Sequence, residues 1–549
     1  MRLRSALAAA SLAAIPGALL GVVLRASNPW FLDEPVTWFC LALLAPACLG
    51  AVFGLFVRTW SRPWVPAIPI ALFLGSVLLP PPGPGPTRLL VVGVDGATFD
   101  RIDEMDLPAF SRLAAEGSRG TLSSMEPMFS PLLWTTIASG KPPRDHGIHG
   151  FDVHADDALV PRFWDIAESQ GLRIGVYKWL VTYPPREVDG FVVPAWLAPS
   201  PETHPPELSF VKELELGHRM KRRRIETRPS WRLALAGIPH GLRLSTLREV
   251  AAWKLRERLE HPDDDERFVA LNLLRGRIDR DVFVHALSAH EPEVATITYY
   301  ATDGLGHRFW DQLGEDEDPL SDAYKQADEL LGELLDRVGD DCAVVVLSDH
   351  GFKALDADKR FVQPKTERLR ERLSAVLGEV QVSRLGAKLT VSAEDLGALQ
   401  AELGTLVDDD GEPFYSWEVI DEQTLGVSLV DETEAALSGS VGGEPAGAYL
   451  SLTDRSYTGD HDARGIIYIR APSVAPGGTI EGADLLDVAP TLLQLLDIRP
   501  AQDLPGRALV GEDIRGPWSR DDLVDDLSWP EAGEGVDQAM LEALGYIER

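Results

Sequence analysis

The chain has 549 residues, a formal net charge of −33 at pH 7 and three cysteines, Cys40, Cys48 and Cys342. Such an acidic balance excludes a general nucleic-acid binder, whose footprint is basic. So few thiols, with no CxxC pair, exclude a disulfide framework and a cysteine zinc site, so any metal must be held by histidine and carboxylate.

Three apolar runs open the chain, at 5–24, about 36–57 and about 65–80. The first two are long enough to span a bilayer and the third is marginal. Arg2 and Arg4 precede the first run, and Arg58 and Arg62 separate the second from the third. The positive-inside rule then puts the N-terminus in the cytoplasm. Three spans from there leave the remaining chain on the extracytoplasmic side, and two would leave it in the cytoplasm. Residues 1–80 are therefore read as a membrane anchor of two to three transmembrane helices. A stiff Pro/Gly linker follows over 81–87.

Beyond the linker, residues 88–515 alternate strand and helix patterns. Leu89–Val94 is an apolar run ending in Asp95-Gly96, the signature of a buried parallel strand. A helix is expected over Pro108–Glu116, and Ser130-Pro131 opens an apolar helix with Ser130 as its N-cap. Phe163–Gln170 reads as a helix, and Arg173–Lys178 and Gly190–Pro194 as strands. Residues 200–260 carry a basic run, Lys221 to Arg224, within an acidic protein. They suit a helical cap insertion facing solvent, or facing anionic substrates or lipid head groups. Val294–Tyr300 is the next strand, with Asp303 and His307 in the segment that follows. Helical spacing runs from Tyr324 to Val338, and the strand Ala343–Leu347 leads into Asp349-His350. Residues 355–455 form a second insertion. His461 lies in a Gly/Asp loop before the strand Gly465–Arg470, and Asp484 caps a helix over Leu485–Leu496. Residues 516–549 are a C-terminal tail. The pattern gives an α/β domain with a mainly parallel sheet flanked by helices.

Ligands in such sheets bind beyond the C-terminal strand ends, where Asp95, Asp303, His307, Asp349 and His350 fall. Taken singly, each has an ordinary structural explanation: a turn, a cap, a surface loop. His146 reads as structural. Ser130 reads equally as a helix cap or as a nucleophile at a helix N-terminus.

The ordered set Asp95-Gly96, Ser139-Gly140 through His146-Gly147, Asp303-x-x-Gly-His307, Ser348-Asp349-His350-Gly351 and Asp460-His461 resembles the alkaline phosphatase superfamily. The likeness is greatest to its type I phosphodiesterase/nucleotide pyrophosphatase branch. The resemblance implies two divalent ions, zinc or else manganese. Asp95, Asp349 and His350 would hold one, and Asp303, His307 and His461 the other. It places Ser130 at the nucleophile, its oxygen turned toward the first metal, with Thr135 and Thr136 as rivals. It implies hydrolysis of phosphodiester or pyrophosphate-type bonds through a phosphoseryl intermediate, with a phosphorylated small molecule, lipid or glycan as substrate. A phospho-head-group transferase and a phosphomonoesterase share the same site.

Overall fold

The computed structural model describes residues 85–517, apart from 152, 223–229, 313–317, 356–361, 386–387, 421–422, 432–433 and 453–457. The expected anchor at 1–80, most of the linker, the side chains of the basic run and nearly all of the tail lie outside the described residues. Among those described, no helix is long and apolar enough to cross a membrane.

The main elements are β1 (Leu89–Val94), α1 (Pro108–Glu116), β2 (Ser118–Ser123), α2 (Ser130–Ser139), α3 (Phe163–Ser169), β3 (Ile174–Tyr177), β4 (Gly190–Val193), β5 (Val294–Tyr299), α4 (Ala301–Phe309), α5 (Pro319–Arg337), β6 (Ala343–Leu347), β7 (Gly351–Ala354), β8 (Gly459–Asp462), β9 (Arg464–Arg470) and α6 (Val488–Leu495). A nine-stranded sheet runs β2-β9-β6-β1-β5-β3-β4, completed beside β2 by Gly478–Thr479 and Ala483–Asp484. β1 is parallel to both β5 and β6, in register Leu89↔Val294 and Leu89↔Ala343. β9 alone is reversed, antiparallel to both β6 and β2.

β1, β5 and β6 are buried along their whole length, as strands covered on both faces must be. On one face Val91, Val345 and Ile467 pack with Leu132, Phe163 and Leu492 of α2, α3 and α6. On the other, Tyr468 meets Phe110 of α1 at 5.7 Å, and α1 is tied to α5 by Phe110 N–H donating to Asp328 Oδ1 at 2.9 Å.

Residues 355–455 have a core of their own. Strands Val380–Leu385, Lys388–Ala393, Tyr415–Val419 and Thr424–Leu429 make an antiparallel sheet. Leu389, Val391 and Leu425 pack there with Leu369, Leu373 and Leu399 of two helices. The helices Ser230–Gly237, Leu244–Glu260 and Asp264–His290 belong to a separate unit that reaches Glu291, beyond the 200–260 span read from composition.

Candidate active site

Three neighbouring strands of the sheet, β6, β1 and β5, end beside one another, and each hands on a ligand-type side chain. β1 gives Asp95, β6 gives Asp349 and His350, and β5 leads through α4 to Asp303 and His307. The segment 303–307 is helical, so the two residues stand one turn apart on one face. His461, expected in a loop, lies on β8, which pairs with β7 in the register His461↔Phe352. β7 begins directly after His350, so this pairing returns His461 to His350; their rings stack with centroids 3.6 Å apart.

These side chains converge. His350 Nε2 lies 3.5 Å from Asp95 Oδ1 and 3.6 Å from Asp349 Oδ2. Asp303 Oδ1 lies 3.4 Å from His461 Nε2, 3.5 Å from His307 Nε2 and 3.9 Å from His350 Nε2. Asp95, Asp349 and His350 form one group with ligand atoms mutually within 4.8 Å, and Asp303, His350 and His461 form another. His307 joins the second group, its Nε2 3.0 Å from that of His461. His350 thus reaches both groups, which the even division of ligands implied by resemblance did not anticipate.

Each imidazole donates Nδ1–H to a main-chain carbonyl: His307 to Gly459 at 3.3 Å, His350 to Gly351 at 3.0 Å and His461 to Met128 at 3.1 Å. The Nε2 lone pairs then face inward, the arrangement that orients metal-ligating histidines. Two acceptor nitrogens 3.0 Å apart, as in His307 and His461, require a proton or a cation between them.

The electrostatics have the same sense. Burial, then the charges of Asp349 and Asp303, push the Asp95 carboxyl well above its usual range. Burial and the neighbouring Asp303 raise Asp349 to about 7. Burial opposes the charge on Asp303 too, but His307 and His461 outweigh it and hold that carboxyl low. Burial, then His461, drives His350 well below the ordinary histidine value. Asp95 Oδ1, both Asp349 oxygens, His350 Nε2 and Ser130 Oγ are buried without a hydrogen bond. Neither Asp95 nor Asp349 has a lysine or arginine ion-pair partner among the described residues. Buried carboxylates of this kind are costly without a compensating cation. A donor set of oxygens and imidazoles suits zinc or manganese, so the residues present fit the divalent ions that the resemblance implies.

Ser130 does not cap its helix. Phe129, extended at φ −96 and ψ 117, is the N-cap, and Ser130 is already the first helical residue. The cause is local. Pro131 fixes the start of the helix, and the fully buried Phe129 is held against Phe151 at 5.8 Å. The Ser130 hydroxyl is therefore left without a hydrogen bond, whereas its rivals are engaged within the helix. Thr135 Oγ1 donates to Pro131 O at 2.7 Å and Thr136 Oγ1 to Leu132 O at 3.0 Å. Met128, two residues before Ser130, accepts from His461, and Trp134, four residues after it, donates to Asp95 Oδ2 at 2.9 Å. His146 is apart from the ligand groups: its Nδ1 accepts from Ile148 N at 3.1 Å and its Nε2 meets Thr136 Oγ1 at 3.0 Å.

Two residues of the site escaped sequence reading, Trp134 and Phe352. Phe352 lies edge-on to His307 at 4.9 Å and to His461 at 5.3 Å. Gly96, at φ +69, leaves it room, since a Cβ there would come within 2.5 Å of the ring. Only the paired His461↔Phe352 register could have pointed to it.

The sequence model of the type I phosphodiesterase/nucleotide pyrophosphatase family matches residues 89–415. No curated protein matches the chain. Similar solved structures include murine ectonucleotide pyrophosphatase/phosphodiesterase 5 in an inactive form with AMP bound, at 13% identity, 77% of this chain, 100% of that one and a TM-score of 0.45. The human counterpart stands at 13%, 78%, 100% and 0.44. The match spans more than half of the 549 residues and runs through Asp95, Ser130, Asp303, His307, Asp349 and His350, and the chain belongs to the type I phosphodiesterase/nucleotide pyrophosphatase family of hydrolases, within the alkaline phosphatase superfamily.

Proposed function

We propose that the chain is a membrane-anchored two-metal phosphohydrolase. It cleaves phosphodiester or pyrophosphate-type bonds of a phosphorylated small molecule, lipid or glycan, through a phosphoseryl intermediate on Ser130. The observation that carries this reading is the buried, unbonded hydroxyl of Ser130, flanked by bonds to both ligand groups, from His461 to Met128 just before the helix and from Trp134 within it to Asp95.

Asp95, Asp349 and His350 would hold one divalent ion and Asp303, His307 and His461 the other. When bound, such a pair supplies Lewis-acid stabilisation to an in-line displacement at phosphorus. The chain's own residues supply the rest. Ser130 Oγ forms the bond to phosphorus as the bond to the leaving oxygen breaks, and its proton leaves to solvent. Water then cleaves the seryl ester and restores the hydroxyl. The main-chain carbonyls behind each imidazole keep the ligand geometry fixed through both steps.

The test uses the purified full chain, its metal content measured beside hydrolysis of a bis-aryl phosphodiester. Ser130→Ala is expected to keep its metals and lose about 10³-fold or more in turnover. Unchanged turnover in that variant, or a wild-type chain that hydrolyses the diester without metal, sinks the mechanism.

A further inference from the structure

We propose that Trp134 is a positioning residue for the Asp95 metal group: its indole N–H occupies one carboxylate oxygen and leaves the other as the single ligand atom. This inference rests on the two-metal reading above.

The geometry is specific. Trp134 is fully buried and its Nε1 donates to Asp95 Oδ2 at 2.9 Å. The other oxygen, Oδ1, makes no hydrogen bond and lies 3.5 Å from His350 Nε2. A carboxylate held in this way cannot turn to offer both oxygens, so Asp95 is a one-oxygen ligand of fixed direction.

The strand is built to admit the ring. Gly93 stands on β1, two residues before Asp95, which follows the strand's last residue. A Cβ at Gly93 would lie 2.5 Å from Cη2 and 2.8 Å from Cζ3 of Trp134. Real side chains do not approach so closely, so the indole ring needs glycine at this position. Trp179 meets the ring edge-on at 4.9 Å and 81°, and Trp179 Nε1 donates to Trp134 O at 3.1 Å. Contacts with Gly93 and Trp179 therefore fix the direction of one N–H, and that N–H fixes Asp95.

The experiment is Trp134→Phe in the full chain. Phenylalanine keeps an aromatic ring in the slot and removes the donor. Affinities for the two ions are read by chelator competition with zinc and by the absorption spectrum of the cobalt-substituted protein. One of the two affinities is expected to fall about 10- to 100-fold, the size of an outer-shell loss. The other should hold, and so should the thermal midpoint of the metal-stripped protein. Wild-type affinity for both ions in Trp134→Phe overturns the inference, as does an equal loss of both accompanied by a lowered metal-free midpoint, which marks a packing role. A wild-type chain that binds no metal defeats the two-metal reading instead. Should Trp134→Phe not fold, Gly93→Ala keeps the indole and displaces it; the same selective loss is expected, and unchanged affinities contradict the inference.

Discussion

His146 shows how one buried group carries a consequence for the whole domain. Burial, then the neighbouring His149, lowers its pKa from 6.5 to about 3. Its Nδ1 accepts the Ile148 N–H, a bond that an imidazolium cannot accept. The unfolded chain therefore takes up a proton near pH 6.5 that the folded chain refuses until about 3. Stability from this group is full above the upper value and is lost as pH falls between the two. Urea unfolding midpoints between pH 7 and pH 4 are expected to fall more steeply for the wild type than for His146→Asn; parallel slopes would contradict this. At this scale the sequence was readable where chemistry interrupts an apolar run, as at Asp95, Asp349 and His350. It was unreadable where a ligand's neighbour comes from another element. Nothing near Trp134 in the sequence points to Asp95, because their contact exists only once α2 lies on β1. Ser130 was read correctly as lying at a helix start and incorrectly as its cap, since the extended Phe129 takes that place.

Among elements, the pairing of β7 with β8 is the joint that closes the metal groups. It sets His461 opposite Phe352, and the Phe352 ring supports His307 and His461 edge-on. Phe352→Ala is expected to cost about 3–5 kcal/mol of stability, as large core truncations do, and to weaken binding at Asp303, His307 and His461 more than at Asp95 and Asp349. Unfolding and metal titrations check both parts; a variant with wild-type stability and affinities would contradict them. The same ring bears on the helix that carries Asp303. Gly304 and Gly306 weaken local helix propensity, so the sequence around Asp303 carries no clear helix signal. Gly306 nevertheless lies in α4, where a Cβ would press on Phe352 at 3.1 Å. Tertiary contact, not local preference, settles this helix, and strand pairing across a long sequence interval likewise makes β8 from what looked like loop. By contrast β1, β5 and β6 were legible, because strands buried on both faces must be continuously apolar.

For the molecule as a whole, a mainly parallel sheet with its ligand residues beyond the strand ends followed from the alternation of elements. The core of residues 355–455 did not, since its two local hairpins become one sheet only through the non-local pairing of Lys388–Ala393 with Thr424–Leu429. The three N-terminal apolar runs and their flanking arginines lead to a topological expectation. In intact cells stripped of their outer barrier, added protease should cut the catalytic domain; protection until the membrane is breached would reverse the assigned side. The central claim is that Ser130 carries the phosphoryl group in transit, and the most direct test is to trap it there. Turnover of an aryl phosphodiester by the full chain is quenched in acid within the first cycle, and the peptides are mapped by mass spectrometry. A phosphoryl adduct is expected on Ser130 and absent from Ser130→Ala; an adduct on Thr135 or Thr136, or burst release of the aryl product with Ser130 unmodified, would rule out Ser130 as the nucleophile.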